Sequence, residues 1–257
     1  MAPQGRTPAE RLLDEATRVP FRGWDFSVLG DRIAVEPPPW DFEALVDACA
    51  GASTSMLDMG TGGGEWLSAR RRAACTVATE TWSPNVPLAA DRLRPLGIAV
   101  VHDEGAVDNT VQSVGNCRGR LAFRAGAFDL VVNRHEAFVA REVRRVLVPG
   151  GLFVTQQSDS GTRAFHELLG MSVPPVDEFT LALAVEQLEH AGLRVEHAIW
   201  GHARVVFADI GALAWYLANV PWAVPGFTVD RHREALVGLH GRPIHVASAR
   251  FVVRARA

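Results

Sequence analysis

The feature that most restricts the fold is an alternation of short apolar runs with amphipathic segments between residues 53 and 157. STSMLDM (53–59), AACTVATE (73–80), GIAVV (97–101), FDLVVN (128–133) and GGLFVTQQ (150–157) have strand character. EWLSARRR (65–72), PNVPLAADRLRPL (84–96) and HEAFVAREVRRVL (135–147) read as helices between them. A strand that is apolar on both faces must be covered on both faces. This pattern predicts an α/β fold with an open, doubly wound, mostly parallel sheet.

The flanks follow different rules. TPAERLLDEATR (7–18) predicts a helix with Thr7 as N-cap and Pro8 at its first position. PPPW (37–40) is a stiff connector, and Asp41 can cap a helix through FEALVDACA. The stretch 103–120 lacks periodicity and reads as a loop. Beyond 158, a helix is expected at 177–192, strands at LRVEHAIW and ARVVF, a helix at 209–220 stopped by Pro221, and a long closing strand, PIHVASARFVVRAR. The last strand suits an antiparallel edge. Hydrophobic residues make up 48% of the 257, enough for one well-filled domain.

The first βα turn is MLDMGTGGGEWL (56–67). In an open α/β sheet, ligands bind beyond the carboxyl ends of the strands. Glycine there permits positive φ and lets a ligand touch bare backbone, while a helix start offers free N–H groups. The dinucleotide pattern G-x-G-x-x-G fails here, because the sixth place from Gly60 is Glu65 and the run from Gly62 continues G-G-G-E-W-L. What is present is D-x-G-x-G-x-G, filled by Asp58, Gly60, Gly62 and Gly64. A strand-end carboxylate would repel a pyrophosphate and suit a ligand carrying an ammonium group. A nicotinamide dehydrogenase is disfavoured on this spacing.

At this point the chain resembles the class I S-adenosylmethionine-dependent methyltransferases. Four segments carry the resemblance, in order over roughly 55–157: the glycine motif; Glu80 at the end of TVATE; FDLVVNRHEAF (128–138); and EVRRVLVPGGLFVTQQ (142–157). The resemblance implies a Rossmann-like, seven-stranded sheet with an antiparallel edge strand. It implies S-adenosyl-L-methionine as cofactor, leaving as S-adenosyl-L-homocysteine. Asp58, Gly60, Thr61, Gly62 and Gly64 would form the cofactor loop. Glu80 would take both ribose hydroxyls, as a carboxylate can. Thr81 and Trp82 would follow it, with Trp82 stacked on the adenine. Asp103 or Asp108 would meet the adenine amino group, with Asp103 taken as the site residue, and Asn133 would line the pocket.

The catalytic expectation is His135 as general base for a hydroxyl or phenol acceptor, with Glu136 as its orienter, because both follow the fourth strand of the nucleotide core. The alternative is that the pair only caps and charges the following helix. Gln156 and Gln157 end the next strand, and one of them should point inward; Gln156 is taken as a substrate contact. Trp24, Trp215 and Trp222 lie outside the nucleotide core and would grip an apolar or aromatic acceptor. Residues 1–40 would form an N-terminal helical lid, and 41–257 the methyltransferase domain, with cap insertions near 158–176 and 209–240.

Composition removes other classes. The net charge is −3, and the runs ARRR and REVRR lack interleaved aromatics, so no nucleic-acid partner is expected. No apolar run approaches membrane-helix length, and the opening residues lack a signal-peptide core, so a cytoplasmic chain with no membrane partner is expected. Cys49, Cys75 and Cys117 lack metal spacing and read as free buried thiols; the histidines form no ligand set, so no metal is expected. The expectation is therefore methyl transfer to a small organic acceptor, as a monomer or homodimer. The Ala- and Arg-rich usage, and a likeness to bacterial methyltransferase-like proteins, suggest O-methylation in bacterial secondary metabolism. An RNA or protein methyltransferase, or a protein that binds S-adenosylmethionine without transferring methyl, are the alternatives.

Overall fold

A computed structural model describes residues 6–112, 119–159, 163–173 and 179–257. Cys117 and part of the 158–176 insertion lie outside the described residues. The chain opens with α1 (Pro8–Ala16). Thr7 Oγ1 accepts from the Glu10 N–H while the Glu10 carboxylate takes the Thr7 N–H, a complete capping box. A 3₁₀ turn (Ser27–Arg32) leads into a short strand, β1 (Ile33–Glu36), that the sequence pattern did not reveal. After the proline connector, Asp41 caps α2 (Phe42–Gly51) through the Ala44 N–H, as expected.

The alternating half follows: β2 (Ser55–Met59), α3 (Glu65–Ser68), β3 (Cys75–Glu80), α4 (Asn85–Leu93), β4 (Ala99–His102), β5 (Phe128–Arg134), α5 (Ala140–Val146) and β6 (Leu147–Ser158). Two helices are shorter than the pattern predicts. α3 is a single turn, because Arg70 turns away to pair with Glu43 and Asp47 of α2. Residues 135–139 precede α5 as irregular chain rather than forming its first turns.

The last third contributes α6 (Arg163–Leu168), α7 (Leu181–His190), β7 (Arg194–Phe207), α8 (Ile210–Asn219), α9 (Arg233–Gly238) and β8 (Ile244–Arg256). LRVEHAIW and ARVVF are one strand: Gly201 and His202 continue it, paired with Arg250 and Ala249 of β8. Gly201 is required by packing, since a Cβ there would stand 2.6 Å from the Pro39 ring.

These strands form one eight-stranded sheet in the order β1-β7-β8-β6-β5-β2-β3-β4. β6, β5, β2, β3 and β4 are mutually parallel; β8 runs antiparallel to β6, and β7 and β1 each run antiparallel to their neighbour. The expected α/β, mostly parallel sheet is present. Its antiparallel part is a three-strand region, and β1 makes eight strands instead of seven.

Helices cover both faces. Phe42 and Val46 of α2, Leu67 of α3 and Leu93 of α4 pack on one face with Leu130, Val132, Val154 and Val252. Val143 of α5 and Leu188 of α7 pack on the other with Leu57, Val131, Phe153 and Val253. A third core lies beyond the sheet body, where Leu13 of α1 meets Leu213, Trp215 and Leu217 of α8 and Phe207 of β7. Trp215 is 1% exposed, and its indole N–H donates to the Val19 carbonyl at 2.9 Å. Cys49 is a buried free thiol, whereas Cys75 is exposed, against the expectation for it. Among the described residues no helix is long and apolar enough to cross a membrane. Truncating Trp215 to Ala empties the junction of α1, α8 and the N-terminal aromatics, and should cost about 3–5 kcal/mol in urea unfolding; a loss under about 1 kcal/mol would mean that this third core contributes little.

Candidate functional site

The carboxyl ends of β2, β3 and β5 open into a cleft of about 1050 Å³. Its floor is the turn after β2. Gly60, Gly62 and Gly64 all have positive φ, at 73°, 63° and 80°, a region that costs other residues about 1–2 kcal/mol. Space also demands glycine at all three, a Cβ on Gly64 meeting Leu93 at 2.9 Å. A Cβ on Gly60 would meet Glu136 at 2.5 Å, and one on Gly62 would meet the Trp24 Cβ at 2.9 Å. The amides of Gly60 and Thr61 both donate to the Thr79 carbonyl, at 3.1 and 2.9 Å. Arg92 of α4 donates to the Gly63 carbonyl and pairs with Glu65, clamping the turn from outside.

Glu80, at the tip of β3, links this turn to the next. One carboxylate oxygen accepts the Gly62 N–H at 2.6 Å and the other the Trp82 N–H at 2.7 Å. It is 4% exposed, and burial raises its pKa against the pull of those amides. Each oxygen keeps a lone pair for further donors. Asp58, 2% exposed and also lining the cleft, is pushed up to about 6 by burial. Trp82 is 65% exposed on the rim. Thr81 lines the cleft beside it.

Asp103 lies past the tip of β4, its carboxylate accepting the Gly105 N–H at 2.8 Å. It lines a separate, much smaller cavity of about 10 Å³ that shares Thr81 and Glu136 with the main cleft. Asp108 instead closes its own turn onto Thr110 and Val111.

His135 and Glu136 diverge. Glu136 packs over Gly60 and reaches toward Gly105. Burial, then Glu80 and Asp103, push its carboxyl up to about 7. It therefore does not orient His135. That place is taken by Gln156: its Oε1 accepts the Trp40 indole N–H at 2.8 Å, and its Nε2 stands 3.2 Å from His135 Nε2. Indole N–H only donates, so Trp40 fixes the amide with its NH₂ toward the imidazole. His135 Nε2 must then accept, which makes the ring neutral with its proton on Nδ1. Burial and the charges of Arg250 and Arg134 act the same way, holding its pKa well below the usual range. His135 also has φ of 62°, uncommon outside glycine, and its N–H is held by the Gln156 carbonyl at 2.9 Å. The pair is not a helix cap.

Other expected site residues stand elsewhere. Asn133 is fully buried; its Oδ1 accepts from Thr155 and Gln157, and its Nδ2 donates to the Glu136 carbonyl. It shapes the loop and does not reach the cleft. Gln157 joins that network. Trp24 and Trp222 line the cleft as a stacked pair, centroids 5.4 Å apart, but Trp215 does not, being enclosed in the third core. Sequence reasoning missed Trp40, Trp66, Arg134 and Arg250. Arg134 lies over the Trp66 ring, 5.4 Å from its centroid, and both line the cleft. Its place between Asn133 and His135 was the available signal. The two basic runs make structural pairs: Arg70 as above, and Arg145 with Glu142 and the carbonyls of Leu121 and Phe123. No group of metal-ligating side chains is found among the described residues.

The fold is that of the class I S-adenosylmethionine-dependent methyltransferases. The chain is similar in structure to a candidate methyltransferase from Bacillus halodurans, with TM-score 0.57 and 17% identity over 84% of this chain and 98% of that one. It is similar to a Deinococcus radiodurans protein of unknown function, with TM-score 0.55 and 16% identity over 87% and 90%. A candidate sarcosine dimethylglycine methyltransferase from Galdieria sulphuraria shares the fold with TM-score 0.50 and 13% identity over 84% and 83%. No protein-family profile and no curated protein sequence matches the chain.

Glu136 supplies a test of the site's electrostatics. Its folded pKa lies above the unfolded value of 4.5, so the folded state holds the extra proton between about pH 4.5 and 7. Its contribution is therefore fully favourable below 4.5 and is lost as pH rises through 7. Glu136→Gln should raise the thermal midpoint at pH 8, by roughly 2–4 °C per kcal/mol relieved, and leave it unchanged at pH 4. Equal midpoints at pH 8 would show that the carboxyl is not strained by its neighbours.

Proposed function

We propose that this chain is an enzyme that transfers the methyl group of S-adenosylmethionine to a small organic acceptor. The observation that carries the reading is Glu80. A carboxylate held by the Gly62 and Trp82 amides, with lone pairs left over, beside bare glycine backbone, fits a pair of vicinal hydroxyls. Asp58, one strand over and drawn above its ordinary pKa, gains from a ligand ammonium that would restore its charge. Glu136 and Asp103 extend the acidic rim toward the adenine side. The donor set suits a cationic amino-acid nucleoside and disfavours a pyrophosphate.

When bound, that cofactor supplies an electrophilic methyl on sulfur. The residues of this chain align, desolvate and accept a proton. Trp24 and Trp222 close the cleft over the glycine turn and exclude water. Neutral His135 would take the acceptor's hydroxyl proton on Nε2, displacing the weak contact to Gln156, as that hydroxyl is methylated. Trp40 and Gln156 are positioning residues that keep the imidazole in the receptive tautomer. O-methylation of a secondary metabolite, in the cytoplasm, by a monomer or homodimer is the preferred reading; of the N-terminal segment, Phe21 to Trp24 serve as the lid.

Two substitution sets test this. Asp58→Ala and Glu80→Ala should each weaken S-adenosylhomocysteine binding at least tenfold by calorimetry, and unchanged affinity in both would remove the site assignment. His135→Asn keeps a residue that tolerates the left-handed backbone. It should lower turnover of a hydroxylated acceptor on the order of 10²-fold with cofactor affinity preserved, whereas full turnover would exclude the imidazole as base.

A further inference from the structure

Arg134 lines the cleft, and sheet register sets a second arginine, Arg250, on the same face of the sheet. Val132 of β5, Val154 of β6 and Val252 of β8 share one face of the sheet. Side chains alternate along a strand, so Arg134, Gln156 and Arg250, each two residues on toward the cleft, rise from that same face. Arg134 is opposite Gln156, and Arg250 is opposite Ser158 on one side and Gly201 on the other. The Arg250 charge opposes ionisation of Arg134, and both charges oppose protonation of His135.

Neither cation is neutralised. Among the described residues Arg134 makes no ion pair; Glu43 and Asp58 act on it only at a distance, and Arg70 opposes them. Among the described residues Arg250 makes no ion pair, burial lowers its pKa, and its Nε is fully enclosed with no hydrogen-bond partner. A buried guanidinium with an unsatisfied donor is costly unless something completes it. Arg70, Arg254 and Arg256 by contrast have carboxylates, Arg70 with Glu43 and the other two with Glu196, although the Nε atoms of Arg70 and Arg254 are also enclosed without a hydrogen bond.

We propose that Arg134 and Arg250 form an anion-binding subsite flanking His135, which takes a carboxylate or phosphate carried by the methyl acceptor. This rests on the methyl-transfer reading for the word acceptor, but not for the anion. Guanidinium forks bind either oxyanion through paired N–H donors. The anion would anchor the molecule beyond His135, with Trp24 and Trp222 across the cleft available to its apolar body.

The test uses benzoate and phenyl phosphate as anionic probes, benzyl alcohol as the neutral one, and S-adenosylhomocysteine in parallel, each titrated calorimetrically into the full chain. The wild-type protein should bind one or both anions at least tenfold more tightly than benzyl alcohol, the tighter anion identifying the group. Arg250→Gln should lose that preference while keeping S-adenosylhomocysteine affinity within about twofold. Its thermal midpoint should be no lower than wild type, because an uncompensated buried charge has gone. If Arg250→Gln fails to fold, Arg250→Lys should retain anion binding within about fivefold. The subsite is overturned if the anions bind no better than benzyl alcohol, or if Arg250→Gln leaves them unaffected. It is equally overturned if that variant loses S-adenosylhomocysteine instead, since the arginine would then serve the cofactor's own carboxylate. Arg250-dependent anion binding without any S-adenosylhomocysteine binding supports the subsite and removes the methyl-transfer reading.

Discussion

The rest of the site depends on one bifurcated tie, the Glu80 carboxylate shared between the Gly62 and Trp82 amides. It joins the turn after β2 to the turn after β3 and holds both strand tips in one plane. A carboxylate this buried would be expelled or neutralised without such donors. Gly62 itself lies at positive φ, and a Cβ there would meet the Trp24 Cβ. The glycine turn and the acid are thus mutually dependent, and removing either loosens the other.

Charge is then distributed along the cleft in one direction. Toward β2, β3 and β4 stand Asp58, Glu80, Glu136 and Asp103, three of them with raised pKa. On the β5 and β8 side stand Arg134, lining the cleft, and Arg250 on the same sheet face, both with depressed pKa and neither in an ion pair among the described residues. Each end is destabilised by its own unbalanced charge, a common cost of a binding site. A ligand pair with a cationic part on the acidic side and an anionic part on the basic side relieves both ends. His135 sits at the boundary, its strained backbone held by the Gln156 carbonyl and its ring by the Trp40–Gln156 relay.

The fold was legible where local and tertiary preferences agree. Thr7 and Asp41 announced their helices through cap chemistry, and apolar runs announced β2 to β6. Legibility failed where tertiary contacts override local pattern. Residues 135–139 have helical periodicity, but the Asn133 amide and the Gln156 carbonyl hold the start of that segment against β6. Trp215 looked like a lid aromatic because α8 is apolar nearly all round, and only the position of α1 shows which residues it buries. β1 is four residues with little burial and leaves no periodic mark. Within the site, Asp58, the glycines and Glu80 are close in sequence and could be read together. Trp40 of the Trp40–Gln156–His135 relay and Arg250 of the Arg134–Arg250 pair lie far along the chain from their partners, so only sheet register brings them into view.

The central claim is that the crevice between the β2 and β3 tips holds an amino-acid nucleoside. Equilibrium titration of the unmodified protein with S-adenosylhomocysteine and, separately, with NAD tests it most directly. The account predicts saturable one-to-one uptake of the first and none of the second; NAD bound in that crevice, with S-adenosylhomocysteine ignored, would contradict it.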